Sequence, residues 1–369
     1  MAEFPESWRD LHVILAHDWL TGMRGGERVL EVLCRAFPNA TIVTLLHNHR
    51  AVSRTINAHR IRTSWLQHVP GIMRFYRYFL PFFPVTIEHM PVPEANLLIS
   101  TSHCVAKGIR SRGGTRHLCY CFTPMRYAWT FHQEYFGGRS LKRLAAEPVL
   151  RRLREWDRET SARVDHFVAI SRHVQDRIAE YYRRESDIVY PPVDTERLTP
   201  GSQAREGFDL IVSALVPYKR VDLAVKAYNR LGYPLKVAGT GTELPGLRRL
   251  AGPNVEILGW QPDEQVRDLY RRCRLLVFPG EEDFGIVPLE AQACGTPVVA
   301  YARGGAVESV REHVSGVFFD QQTEASLIDG VQRGAAARWD RAAIRANAER
   351  FSTQTFIDGL ARSITRCLK

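Results

Sequence analysis

Between residues 208 and 320, six short apolar runs each lead into a polar or glycine-containing turn and then into apolar residues at helical spacing. The runs lie at 210–215, 235–238, 255–258, 275–278, 298–301 and 317–319. Uninterrupted apolar strands suit burial on both faces, and parallel neighbours need a crossover long enough for a helix. The pattern predicts a doubly wound parallel α/β sheet. The first part of the chain repeats the alternation less regularly, with strands expected near 11–16, 41–46, 96–100, 117–122 and 166–170. Two Rossmann-like domains facing each other across a cleft are the implied architecture. The proline pair Pro191 and Pro192 makes a stiff connection. The expected division is residues 1–197 and 198–351, with a C-terminal helix at about 352–369 packing back on the first domain.

Ligands of such sheets collect at the carboxyl ends of the strands. After the run at 275–278, Pro279 and Gly280 open a loop that holds Glu282, and a helix is expected from about Gly285. The amides of Phe284, Gly285 and Ile286 at its start form a seat for a phosphate. Glu290 follows eight positions after Glu282, and both carboxylates suit sugar hydroxyls. After 215, Lys219 offers a point charge and Arg220 a bidentate fork, both in reach of a diphosphate. Gly239, Thr240 and Gly241 make half of a dinucleotide fingerprint, but Leu244 stands where its third glycine belongs, which argues against NAD. Gly259, Trp260 and Gln261 can flank a base. One nucleotide diphosphate fits all these turns. The sequence has no Asp-x-Asp pair, so no metal or other cofactor is expected and the cations carry the diphosphate.

In the first half, Gly25 and Gly26 precede a helical pattern and form an anion-compatible turn. His103 follows a strand and is a candidate imidazole, while Ser171 is placed to cap a helix. The stretch 140–163 reads as a basic, solvated helix. Lys and Arg exceed Asp and Glu by 50 to 40, giving a formal charge of +10 and suggesting an anionic partner. Residues 59–90 mix Trp65, Met73, Phe75, Tyr76, Tyr78, Phe79, Phe82 and Phe83 with Arg60, Arg62, Arg74 and Arg77, and hold no carboxylate before Glu88. That composition suits an anionic membrane surface. No nucleic-acid module surrounds it, so no nucleic-acid partner is expected. Seven cysteines without disulfide-framework spacing read as buried thiols in a reducing compartment. Neither an export signal nor a run of 18 apolar residues is evident.

The second half resembles the family 4 retaining glycosyltransferases of the GT-B fold. The likeness rests on Val216, Pro217, Tyr218 and Lys219; on Gly239 to Gly241; on Leu258, Gly259 and Trp260; on the Glu282 to Glu290 spacing; and on Gly295, Thr296, Pro297 with Gly304 and Gly305. HDWLTGMRGGERVLE, CYCFTPMRYAW and ISRHVQDRI in the first half are similar to the branch containing O-antigen mannosyltransferases. This resemblance implies transfer of a hexose, mannose from GDP-mannose foremost, to a lipid-linked or polysaccharide glycan by a cytoplasmic enzyme peripheral to the inner membrane face. Glu282 would contact donor-sugar hydroxyls, Phe284 to Ile286 the diphosphate and Glu290 the ribose. Lys219 would neutralise the leaving group. Gly25 and Gly26 would let the first domain close on the donor, and Ser171, Gly241 and Trp260 complete the donor-binding set. Ala214 stands where the family has an arginine, so Arg220 or another cation would take its place. Phe122 stands where the branch has a histidine, leaving His103 as the catalytic imidazole. Competing readings are a UDP-sugar transferase, a sugar-phosphate-accepting synthase, an NAD-dependent oxidoreductase, and a non-enzymatic module binding membranes or polyanions.

Overall fold

The structure, a computed structural model, describes residues 3–8, 10–129, 141–202 and 204–369. The chain forms two compact units, one of Met1–Tyr190 with Phe356–Lys369 and one of Pro191–Thr355. The division falls before residue 197 because the intervening segment is bonded into the second unit. Val193 N–H donates to Phe351 O, and Arg345 donates to the carbonyls of Leu198 and Thr195.

The first unit is built on seven parallel strands: β1 (Val13–His17), β2 (Thr41–Thr44), β3 (Arg60–Thr63), β4 (Leu97–Ser102), β5 (Arg116–Cys121), β6 (His166–Ala169) and β7 (Asp187–Ile188). Their order is β3-β2-β1-β4-β5-β6-β7. All five residues of β1 and all six of β4 are buried, as their apolar runs require of central strands. Helices α1 (Gly25–Ala36), α2 (Leu141–Thr160) and α3 (Arg172–Tyr182) provide crossovers. Because the chain lays β2 and β3 on one side of β1 and β4 to β7 on the other, the turns after β1 and β4 are neighbours.

Two strands, β3 and β7, fall where no strand was expected. Both are sheet edges; β3 reads Arg-Ile-Arg-Thr and β7 has two residues, so neither carries an apolar run. Charge and brevity blunt an edge against pairing with another chain. The stretch 59–90 is not a uniform surface. Tyr76 and Phe83 lie in the core with Leu66, Ile72 and Ile87, whereas Trp65, Tyr78, Phe82 and Val85 are exposed. Nor is the basic stretch simply solvated: α2 buries Leu150, Leu153, Asp157 and Thr160. Its expected first residue, 140, lies outside the described residues.

Within the first unit, the C-terminal segment of α9 (Thr353–Leu368) stands Phe356 edge-on to Tyr120 at 5.6 Å, and Ser363 donates to Asp187 at 2.8 Å.

The second unit holds six parallel strands: β8 (Asp209–Val212), β9 (Leu235–Ala238), β10 (Val255–Gly259), β11 (Leu276–Phe278), β12 (Val298–Tyr301) and β13 (Gly316–Phe319). They are ordered β10-β9-β8-β11-β12-β13. Here the order reverses between β8 and β11. Helices α4 (Val221–Leu231), α5 (Asp263–Arg272), α6 (Ile286–Ala293), α7 (Glu324–Ala336) and α8 (Arg341–Glu349) lie between or after these strands. Strand β8 stops at Val212, short of residue 215. All seven cysteines are free and buried, and no helix among the described residues is long and apolar enough to cross a membrane.

Candidate functional site

At the β8/β11 switch of the second unit, the turns after the two strands touch. A Cβ on Gly280 would stand 2.8 Å from Lys219 Cα and 3.0 Å from the Tyr218 carbonyl, so only glycine permits this approach. The closeness lets Lys219 Nζ form an ion pair with Glu282 Oε1. Both side chains are mostly shielded, 13% and 19% exposed, which strengthens the pair over a surface one. The turn after β12 supports it from behind: Gly305 N–H donates to the Glu282 carbonyl at 2.8 Å, and any Cβ on Gly305 would collide with Phe284 Cα.

Phe284 is 3% exposed and its ring lies 5.8 Å from that of Phe351, so the side chain is a core anchor. Anchoring leaves the backbone to present the start of α6. Gly285 caps that helix at φ +83°, and the first-turn N–H groups have no intrahelical acceptor. Glu290, eight residues on from Glu282, accepts from the buried Tyr270 hydroxyl at 2.9 Å. Burial, with Glu290 beside it, raises the Tyr270 pKa well above its usual value and keeps it a donor.

The remaining predicted residues of this unit lie at its other turns. Arg220 takes a left-handed conformation at φ +52°, between the turn Pro217–Lys219 and α4. Its guanidinium reaches Asp222 at 3.4 Å and Gln322 at 3.1 Å, and Gln322 donates on to the Pro279 carbonyl. It therefore braces the loop after β11. A Cβ on Gly241 would collide with the Leu215 carbonyl, so this glycine joins the turns after β8 and β9. Trp260 is 71% exposed and follows Gly259 at φ +73°.

In the first unit the β1/β4 switch also carries an acid–base pair. Asp18, fully buried, accepts from His103 Nδ1 at 2.9 Å. It also accepts from the amides of His103, Cys104, Val105 and Ala106 at 2.7, 3.1, 2.6 and 2.7 Å. Burial opposes its ionisation, but His103 overcomes it and the carboxyl sits at about 2. With Nδ1 engaged by Asp18, Nε2 is the ring nitrogen that this carboxylate leaves over. The imidazole also stands edge-on to Trp19 at 4.7 Å.

Gly25 and Gly26 form the first turn of α1 instead of preceding it, and neither has a positive φ. A Cβ on Gly26 would lie 3.2 Å from the Phe122 ring and 3.5 Å from His17. His17 is buried and its Nδ1 donates to Thr101 Oγ1 at 2.7 Å, since Thr101 itself donates to the Ala16 carbonyl. Burial lowers its pKa to about 4, so the ring is neutral. Ser171 is buried, and its hydroxyl accepts from the Val174 amide to cap α3.

Sequence reasoning missed Asp18, His17 and Thr101, although the signal was present. Polar residues directly at the ends of two apolar runs are what a switch point collects. It also missed Asp157, which pairs with the buried Lys107 at 3.0 Å. Asp157 Oδ2 accepts from Trp129 and Tyr182, each at 2.8 Å. Among the described residues, no group of three or more His, Cys, Asp or Glu is placed to hold a metal ion.

Residues 193–351 match the family described as glycosyl transferases group 1. The D-inositol 3-phosphate glycosyltransferase of Mycolicibacterium smegmatis is 35% identical over 211 residues, covering 50% of this chain and 48% of that protein. The chain spans about half the length of the curated relatives it matches. The sucrose-phosphate synthase of Thermosynechococcus elongatus superposes with a TM-score of 0.73 at 16% identity, over 96% of this chain and 98% of that one. Anabaena HepE in complex with UDP-glucose gives 0.68 at 16% identity, over 96% and 99%. The fold is GT-B, with two parallel-sheet Rossmann-like halves.

Proposed function

We propose that the chain is a metal-independent retaining glycosyltransferase that moves a hexosyl group from a nucleotide diphosphate sugar to a glycan hydroxyl. The observation that carries this reading is the Lys219–Glu282 ion pair beside the open first turn of α6. An arriving diphosphate would take Lys219 and the helix amides as counter-charges, and Glu282 would then turn its carboxylate to the sugar hydroxyls. As the anomeric carbon–oxygen bond breaks, negative charge grows on the diphosphate while the ring gains oxocarbenium character. Preorganised donors aimed at that charge are usually the largest catalytic contribution. The acceptor hydroxyl attacks from the departing side, and its proton passes to the leaving diphosphate. His103, steered by Asp18, would orient the transferred sugar or the acceptor.

The donor we favour is GDP-mannose, on the likeness of the first half to the O-antigen mannosyltransferase branch. A UDP-sugar is the second reading, since the similar HepE structure holds UDP-glucose. A sugar-phosphate acceptor has support from the names of the matched relatives. The NAD reading is disfavoured because Leu244, where a fingerprint glycine would stand, opens the short helix Leu244–Leu250. The acceptor would be lipid-linked, at the cytoplasmic membrane face. Trp65, Tyr78, Phe82 and Val85, 56%, 84%, 58% and 64% exposed on an arginine-bearing stretch, support a membrane surface as partner.

Thermal-shift titration with GDP-, UDP- and ADP-sugars, followed by NMR of the product's anomeric configuration, tests the reading. Stabilisation by one nucleotide sugar and a retained anomer are expected; no stabilisation by any, or an inverted anomer, would overturn it.

A further inference from the structure

We propose that a pocket in the first unit holds a phosphoryl group carried by the acceptor. The pocket, about 250 Å³, is lined by Thr21, Arg24, Met73, Arg74, Tyr76 and Arg77. Three guanidinium side chains and no carboxylate line it. Neither Arg24 nor Arg74 makes an ion pair within 4.0 Å among the described residues, and the buried Glu27, which feels the Arg24 charge, accepts the Arg24 amide at 3.1 Å. Thr21 Oγ1 is buried without a hydrogen-bond partner. A hydroxyl left so costs free energy that an oxygen-rich ligand recovers. Forked guanidinium groups around a hydroxyl donor match the several oxygens and multiple charge of a phosphoryl group.

The surroundings say what else the ligand carries. Trp19 lies 5.4 Å from the Tyr76 ring and 4.7 Å from the His103 ring, so one indole separates the pocket from the imidazole of the β1/β4 switch. In the other direction, the rings of Phe75, Phe79 and Phe82 follow one another at 6.1 Å, and Tyr78 and Phe82 are exposed. A phosphorylated amphiphile fits this layout, its head among the arginines and its apolar part along the aromatic ladder. The inference rests on the glycosyltransferase reading for the word acceptor; the phosphoryl chemistry stands on the pocket alone.

The test titrates the full chain with farnesyl diphosphate, farnesol and inorganic pyrophosphate, following tryptophan fluorescence, and repeats each titration with Arg74→Gln/Arg77→Gln. Farnesyl diphosphate is expected to bind at least about tenfold more tightly than farnesol, and the double variant to lose that advantage. Nucleotide-sugar binding should stay unchanged in the variant, showing that it folds. Pyrophosphate competing with farnesyl diphosphate supports the phosphoryl site whether its source is lipid or free. Equal binding of diphosphate and alcohol, or a variant that binds as wild type does, overturns the proposal. That failure would leave nucleotide-sugar turnover untouched, whereas failure of the glycosyltransferase reading would leave diphosphate binding intact.

Discussion

Asp18 accepts from His103 Nδ1 at 2.9 Å, and the pair spans the β1/β4 switch of the first sheet as Lys219 and Glu282 span the β8/β11 switch of the second. In each sheet, reversal of strand order makes two turns neighbours that are far apart in sequence. Separations of 85 residues between Asp18 and His103 and 63 between Lys219 and Glu282 are closed by the same topological step.

Asp18→Asn should both destabilise the protein and misorient His103. The amide cannot replace a carboxylate that takes five donors, and loss of charge-assisted bonds at a fully buried site costs on the order of 3 kcal/mol. Urea unfolding would show the loss, and the pH profile of transfer would shift with it. A variant as stable and active as wild type would remove Asp18 from the site.

Acid should weaken the fold well above the carboxylate range. His17 and His117 are both held at about 4 by burial, against an unfolded value near 6.5. The unfolded chain therefore binds more protons between these values, so stability is full above 6.5 and falls as pH drops toward 4. At pH 5 each should cost about 2 kcal/mol relative to pH 7.5. Asp18 acts lower, its contribution being present above 3.8 and lost as pH falls through about 2. Urea unfolding at pH 7.5 and 5 measures the histidine effect; a flat profile would refute it.

Lys219→Ala and Glu282→Ala should each lower kcat at least about a hundredfold while leaving the fold intact, since both act on charge that develops in transfer. Lys219→Ala should also weaken nucleoside diphosphate binding. Single-turnover assays with the preferred donor, beside circular dichroism, decide this; turnover within threefold of wild type rejects the assignment.

Gly305→Ala should cost more than about 2 kcal/mol, because the added methyl meets the backbone of Phe284 and Asp283 and neither can yield cheaply. Gly22→Ala is the control, with nothing within 4 Å of its Cβ position. Calorimetric Tm values should fall for the first and hold for the second.

Lys107→Met should be strongly destabilising, by about 3–5 kcal/mol, since it leaves Asp157 buried without its cation. Adding Asp157→Asn should restore part of the loss, because the amide oxygen still accepts from Trp129 and Tyr182. A denaturation series on the two variants checks the order.

The apolar runs made the central strands legible, because a strand buried on both faces has no polar alternative to offer. The edge strands β3 and β7 were not, because a charged or two-residue edge is defined by its neighbour. In 59–90, composition recorded aromatics and arginines but not their directions. Short helical turns set Phe83 and Tyr76 inward and Phe82 and Tyr78 outward, and only packing separates neighbours so alike.

By itself the sequence determined two parallel sheets and the turns at their carboxyl ends, and it marked Lys219, Glu282 and the start of α6 from local pattern. Tertiary structure decided which groups are partners. Glu290 meets the Tyr270 hydroxyl, Arg220 meets Gln322, and the five donors around Asp18 come from the turn after another strand. The reason is physical. Local propensity fixes where a chain turns, but the reversal of strand order fixes which turns meet, and burial then turns their meeting into an ion pair or a hydrogen bond.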